Sequence, residues 1–380
     1  MRSKITSFFI CILCACVMLY TYSKMDLDQS GQKAFPLSLP DLNMIGKTRK
    51  QAHRRVACMA PRVMFGIRRR TTAYYMRCKQ LEILGNSYFK DIKFKLLDYE
   101  RAVKVKEQYD AAIFIKSTPD LKWWPKIWKS FKKIYVDVID AANRQEPKRK
   151  GNRTEYLIDW KHLKTKSPRA ALIVQNVHQA ILYNASFDTI IIEHMPASLN
   201  DSEWVSTSSL SHPLRAISST SRQWGICENI NTSSVILRCV ESYDAEKLFE
   251  SELNVRYKDY SSRIWGESWL YTQMYRKYDV VVVYTKGGVK QWINSVQRMT
   301  NAIFSGVLTA IQRTGLHKLY VPENYACGFT DNAELLKVLK NLDQNNYVRE
   351  ECQRQAKIII APLSHKSILN KYHKMLTSAA

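Results

Sequence analysis

Asp279 to Gln312 reads DVVVVYTKGGVKQWINSVQRMTNAIFSGVLTAIQ, and this stretch decides the fold. Val280 to Tyr284 is a short apolar run with four consecutive valines. A polar, glycine-containing loop follows from Lys286 to Ser295. Then come an amphipathic segment from Arg298 to Ser305, Gly306, and a second β-rich run from Val307 to Ile311. The order is strand, loop, helix, strand. β-Branched runs of this length suit strands buried on both faces of a parallel sheet. A loop entering a helix N-terminus from such a strand can hold phosphate, because first-turn N–H groups and the helix dipole point at it. Arg298 and Thr300 stand at that entrance. The stretch is therefore expected to hold the diphosphate of a nucleotide donor.

Outward from this unit, strand-like and helix-like segments alternate. On the N-terminal side strands are expected at 56–60, 92–97, 111–115, 134–139, 172–174 and 189–192. Helices are expected at 71–84 (stopping at Gly85), 99–109, 122–132 and 177–183. Residues 195 to about 233 are crowded with Ser and Thr and contain Pro196 and Pro213, which marks a domain boundary. Alternation then resumes. Strands are expected at 235–240, 254–257, 280–284, 307–311 and 318–321, and helices at 244–253, 267–278, 298–305, 331–342, 347–359 and 364–376. Asp331 followed by Glu334 is a capping-box pattern. Regular strand–helix alternation means parallel sheets covered by helices on both faces. The expected fold is α/β, with two Rossmann-like domains, 51–200 and 201–380, whose sheets face a cleft.

The first fifty residues differ from this pattern. Arg2 and Lys4 precede Ile5 to Tyr22, eighteen residues without a charge, about the minimum for a membrane-spanning helix. The run ends in Met18-Leu19-Tyr20-Thr21-Tyr22, an aromatic belt rather than a small-residue cleavage site. The expected order is a cytosolic tail at 1–4, a signal anchor at 5–22 and a polar stem at 23–50. That makes a single-pass type II protein of the Golgi or ER membrane with a lumenal globular part. Four N-x-S/T sequons, at Asn152, Asn184, Asn200 and Asn231, agree with that address. So does an even set of six cysteines outside the run: Cys58, Cys78, Cys227, Cys239, Cys327 and Cys352. Fifteen pairings are open to six cysteines, and Cys227 with Cys239 is the most local.

The formal net charge is +24, a field that draws nucleotides, nucleic acids, acidic lipids or acidic glycans. A nucleic-acid role is not expected, because no DNA- or RNA-reading motif is present and the anchor and sequons point to a lumen. No C-x-x-C pair lies outside the anchor, which argues against structural zinc. A sulfotransferase would share compartment and charge. However, the loop at Pro61 to Arg70 has one glycine and no G-K-[ST].

Arg298, Asn301, Ala302 and Gly306 after the YDVVVVY strand fit the pattern R-x-x-N/E-A-x-x-x-G-x-P, with Leu308 in place of Pro. YDAAIFIK (Tyr109 to Lys116) and IYVDVIDA (Ile134 to Ala141) look like N-domain strands of the same group. The chain thus resembles GT-B glycosyltransferases, group 1, family-4-like. That resemblance implies transfer of a sugar from a nucleotide sugar to a glycan or glycoconjugate acceptor. Asp137-Val138-Ile139-Asp140 has the spacing D-x-x-D rather than the metal-binding D-x-D, so neither metal nor other cofactor is expected. Many members carry two glutamates with seven residues between them, and here those positions hold Ile293 and Asn301. An amide hydrogen-bonds hydroxyls but carries no charge. The alternative is therefore an inactive, membrane-anchored basic protein of the same fold that binds glycan.

On the donor side the candidates are Arg298, whose guanidinium can fork onto diphosphate oxygens, Thr300 and Asn301. Lys286, Gly287 and Gly288 let backbone approach the donor, and Arg263 precedes Trp265-Gly266 in a loop of the same domain. For a base, Asp140 ends an N-domain strand, Asp137 alternates with it and faces elsewhere, and His178 and His194 are rivals. The loop with Gly66, Arg68 and Arg69 lies on the acceptor side and could hold an anionic acceptor, although a charge run is more often a solvated face. Trp123, Trp124 and Trp128 could stack sugars, but packing explains them more cheaply.

Overall fold

The computed structural model describes residues 54–59, 74–97, 109–115, 131–139, 163–165, 170–196, 210–220, 229–241, 266–285 and 296–378. Ala52–Ala380 forms one compact unit. The expected tail, anchor and stem lie outside the described residues. Among the described residues no helix is long and apolar enough to cross a membrane.

Two six-stranded sheets organise the unit. The first contains β1 (Arg54–Met59), β2 (Ile92–Leu97), β3 (Tyr109–Ile115), β4 (Phe131–Asp137), β5 (Ala171–Val174) and β6 (Thr189–Ile191) in the order β2-β1-β3-β4-β5-β6. Every pairing in it is parallel. Its central strand β3 is buried on both sides. Ile113 and Ile115 join one core, while Ala112 and Phe114 join the other. Two-sided burial is why Ala111–Ile115, AAIFI, is a continuous apolar run rather than an alternating one.

The second sheet contains β7 (Leu214–Thr220), β8 (Ile230–Asn231), β9 (Val235–Glu241), β10 (Val280–Val283), β11 (Leu308–Gln312) and β12 (Gly328–Phe329). Its order is β12-β11-β10-β7-β9-β8. All its pairings are parallel except β8 with β9. The four valines of β10 are all buried between β11 and β7. β7 falls inside the Ser- and Thr-rich stretch 195–233, where no strand was expected. Its Leu214, Ala216, Ile217 and Ser218 are buried, and the strand lies at the centre of the sheet. The Ser and Thr at its end disguise it.

Among the described residues, six α-helices of eight or more residues accompany the sheets: α1 (Val177–Asn184), α2 (Gly266–Tyr275), α3 (Gln297–Phe304), α4 (Asn332–Gln344), α5 (Asn346–Ile360) and α6 (His365–Thr377). The helix expected at 71–84 is instead wound as π-helix at Tyr74–Lys79 and Leu81–Gly85 and continues into Asn86–Tyr88. Gly85 does not stop it. This glycine is in ordinary helical conformation (φ −63°), and a Cβ there would sit 2.7 Å from the Phe94 ring. Glycine is needed for close approach, not for a turn. Gly306 does supply the turn after α3, at φ 79°. The strand expected at 318–321 is replaced by a 3-10 turn, Gly315–Leu319.

The chain crosses between the sheets at its end. Cys352, Ala356, Ile359 and Ile360 of α5 pack in the second core. After the turn Ala361–Leu363, α6 leaves that core and places Ile368, Leu369, Tyr372, Met375 and Leu376 in the first. The terminal helix thus belongs to the first sheet, although its residues fall in the span assigned to the second domain. Side chains of the first sheet hold its far end. Arg54 donates to the Leu376 carbonyl, Tyr135 Oη to that of Met375 (3.3 Å) and Lys133 Nζ to that of Ser378 (2.9 Å). Cations at a helix C-terminus satisfy its open carbonyls and oppose its dipole.

Disulfides join Cys58 to Cys78 and Cys327 to Cys352. Cys239 is also disulfide-bonded. Cys227, its expected partner, lies outside the described residues.

Candidate functional site

In open parallel sheets ligands sit beyond the carboxyl ends of the strands, where the strand order reverses. In the second sheet that point lies between β7 and β10, because the chain goes from β7 to β9 on one side and returns through β10 on the other. The rim there is rigid. Thr285, two residues past β10, donates its backbone N–H and its hydroxyl to Gln312 Oε1, each at 3.0 Å. Gln312 Nε2 in turn donates to the Thr330 carbonyl at 3.1 Å. One buried amide therefore ties the carboxyl ends of β10, β11 and β12. Tyr284 Oη reaches Asn332 Oδ1 at 3.2 Å. Asp331 caps α4 by accepting from the Glu334 N–H at 2.8 Å, and Glu334 accepts from the N–H and hydroxyl of Thr330 at 2.6 and 2.8 Å.

α3 connects the parallel neighbours β10 and β11, so it runs back against the strands and its N-terminus lies toward their carboxyl edge. Helices α1, α4, α5 and α6 are each capped by their own side chain, from Asn176, Asp331, Asn345 and Ser364. α3 begins at Val296, which supplies no cap, and has no acidic residue in its first turn. Met299, Ala302, Ile303 and Phe304 anchor it in the core. The core thereby fixes the helix, whose first-turn N–H groups and positive dipole end belong to the carboxyl side of the sheet. Arg298 is half-buried in that first turn. Thr300 is turned inward. It is 1% exposed, and its hydroxyl donates back to the Val296 carbonyl at 3.1 Å. In this arrangement it serves the helix itself. Asn301 is buried too, and its carbonyl accepts the Ser305 N–H at 3.0 Å. Lys286, Gly287, Gly288 and Arg263 lie outside the described residues.

At the carboxyl edge of the first sheet, Asp137 ends β4 and is completely buried. Its carboxylate pairs with Arg77 Nε at 3.0 Å and accepts from Gln175 Nε2 at 3.2 Å. Arg77, also completely buried, donates to the carbonyls of Glu193 (2.9 Å) and Ile192 (3.0 Å) and to Tyr372 Oη (2.9 Å). One guanidinium therefore joins the π-wound helix, β4, the segment after β6 and α6. That segment is held further by Lys371 Nζ to Glu193 Oε2 at 2.5 Å and His365 Nε2 to the Pro196 carbonyl at 3.1 Å. The His365 ring also meets Phe304 of α3 edge-on at 5.7 Å.

His178 is the second residue of α1, beside this edge. Burial lowers its pKa from the usual 6.5, which keeps the imidazole neutral near pH 7. His194 is 4% exposed, within the strap after β6. Asp140, Gly66, Arg68 and Arg69 lie outside the described residues. Sequence reasoning missed Arg77. It sits in YYMRCKQL, where a helical arginine signals solvent, and only the neighbouring Cys78 hints at burial. Among the described residues, no cluster of three or more His, Cys, Asp or Glu side chains could hold a metal ion.

No protein-family model matches the chain, and no curated protein matches it. Solved structures do. HepE of Anabaena in complex with UDP-glucose superposes with a TM-score of 0.52 at 10% identity, covering 86% of this chain and 100% of that one. The same protein with UDP and glucose gives 0.51, also at 10% identity and the same coverage. Phage T4 BGT in complex with UDP-glucose gives 0.47 at 13% identity, again over 86% and 100%. The likeness to HepE spans both sheets and shows the α/β fold with parallel sheets, of the GT-B type. At this identity it speaks for fold alone.

Proposed function

We propose that this protein transfers a glycosyl group from a nucleotide sugar to a glycan or glycoconjugate acceptor. The supporting observation is the start of α3, where the N-cap residue Val296 supplies no side-chain cap and Arg298 stands in the first turn, at the carboxyl edge of a buried parallel sheet. HepE, which shares the fold, is known in complex with UDP-glucose. In this reading the acceptor hydroxyl attacks the anomeric carbon while the bond from that carbon to the diphosphate oxygen breaks. The first-turn N–H groups of α3 and the Arg298 guanidinium take up the charge that develops on the leaving diphosphate. They supply the neutralisation that a metal would otherwise give, so no metal is required. Asp140 is the favoured acceptor of the proton, with His194 and His178, kept neutral by burial, as rivals. The +24 charge suits an anionic acceptor.

We place the protein in the Golgi or ER membrane by its 5–22 run, with the globular part lumenal. The second reading, a glycan-binding protein without catalysis, draws on Asn301, an amide where the resemblance expects a carboxylate.

The test is sugar transfer from a panel of labelled nucleotide sugars to neutral and anionic glycans in the presence of EDTA. Product should form with one donor and persist in EDTA. Donor binding without transfer would favour the second reading. Activity lost in EDTA and restored only by manganese would contradict the metal-free mechanism.

A further inference from the structure

Open sheet edges invite pairing with other chains, and proteins blunt them with charge, short strands or cover. The two sheets here have four outer edges: β2 and β6 in the first, β12 and β8 in the second. β2 is blunted by Lys93 and Lys95, both exposed. β12 is two residues long, and both are buried. β6 and β8 carry no charged residue at all. Apolar side chains crowd beside them. Ile181 and Leu182 of α1 are 64% and 53% exposed, Ile191 of β6 is 37% exposed, and Ile236 of β9 is 37% exposed.

Two of the four sequons fall at these two edges. Asn184 is the last residue of α1, one helical turn after Ile181 and five residues before β6, and Asn184, Ala185 and Ser186 are all exposed. Asn231 is exposed on β8 itself, in direct register with Ile236 of β9. Directly opposed residues of an antiparallel pair share a face. Both asparagines thus stand beside the apolar groups of an edge strand that carries no charge of its own.

We infer that Asn184 and Asn231 are N-glycosylated, and that their glycans cover the β6 and β8 edges and the exposed isoleucine and leucine side chains next to them. This rests on the lumenal address proposed above. The asparagine Nδ2 forms a bond to the anomeric carbon of a lipid-diphosphate-linked oligosaccharide. The bond from that carbon to the diphosphate oxygen breaks, one amide proton leaves, and the lipid diphosphate departs. Both asparagines end in solvent, so the folded chain accommodates the bulky, hydrated product without displacing core.

The full chain is expressed in cells with a secretory pathway and treated with peptide-N-glycosidase in heavy-oxygen water, which marks each formerly glycosylated asparagine. The marks are expected at Asn184 and Asn231. Marks only at Asn152 or Asn200 would keep the lumenal address and overturn the site assignment. No mark anywhere would overturn both. The shielding role is tested with Asn184→Gln and Asn231→Gln combined, read by an apolar-surface dye and by size-exclusion chromatography. A several-fold rise in dye signal and in aggregate is expected. Adding Ile181→Ser, Leu182→Ser and Ile236→Ser should reverse it. A double variant as monodisperse as the parent would overturn shielding even where both sites are occupied.

Discussion

Arg77 carries its charge where no water reaches it, and four partners from three segments make that tolerable. A buried ion pair adds little over an apolar substitute, but breaking one side strands the other charge. Arg77→Met should therefore cost about 3–5 kcal/mol by denaturant unfolding, because Asp137 is left without its cation. Arg77→Met combined with Asp137→Leu should recover much of that loss. An additive double variant would contradict the account. His317 makes the complementary case. It is buried, its Nδ1 lies 3.0 Å from the Gln312 carbonyl, and burial lowers its pKa to about 4. The unfolded chain takes up this proton near pH 6.5 and the folded chain only near 4. Stability from this group is thus complete above pH 6.5 and is lost as pH falls towards 4, a loss of about 3 kcal/mol. His317→Asn should flatten that part of the stability profile. An unchanged slope between pH 6.5 and 4 would contradict the assignment. Neither residue announces itself in sequence, because burial of a charged or titratable group is decided by tertiary partners. Gly306 was legible, because only its chain position after a helix was needed.

Among elements, the strand–loop–helix unit at 279–312 was readable because period and composition are local: four valines, a glycine loop, an amphipathic turn. β7 was not, since its outer half is Ser and Thr and its strand character comes from the neighbours that bury it. α6 was legible as a helix but not as a partner of the first sheet. An apolar stripe says that a face is covered, not by what. Five of its side chains enter the first core. At roughly 1.5–3 kcal/mol each, they contribute on the order of 10 kcal/mol, comparable with the whole stability of a domain. Removal of residues 365–380 should leave a chain without a cooperative unfolding transition and open to rapid proteolysis. A truncated chain that unfolds at the parental midpoint would contradict this role.

At the scale of the molecule, alternation along the chain was enough to expect two parallel sheets. It could not show that the chain's end crosses from the second core, through α5, back to the first, through α6. The net charge of +24 says that an anion is attracted, not where it binds. The location comes from topology: the reversal of strand order between β7 and β10, where α3 begins. Calorimetric titration of the protein with a panel of nucleotide sugars that includes UDP-glucose tests this most directly. One member should bind at a single site, and Arg298→Ala should weaken it at least about ten-fold, the loss expected for one charged hydrogen bond of ~1.5 kcal/mol or more. Binding of none of the panel, or binding unaffected by Arg298→Ala, would contradict the account.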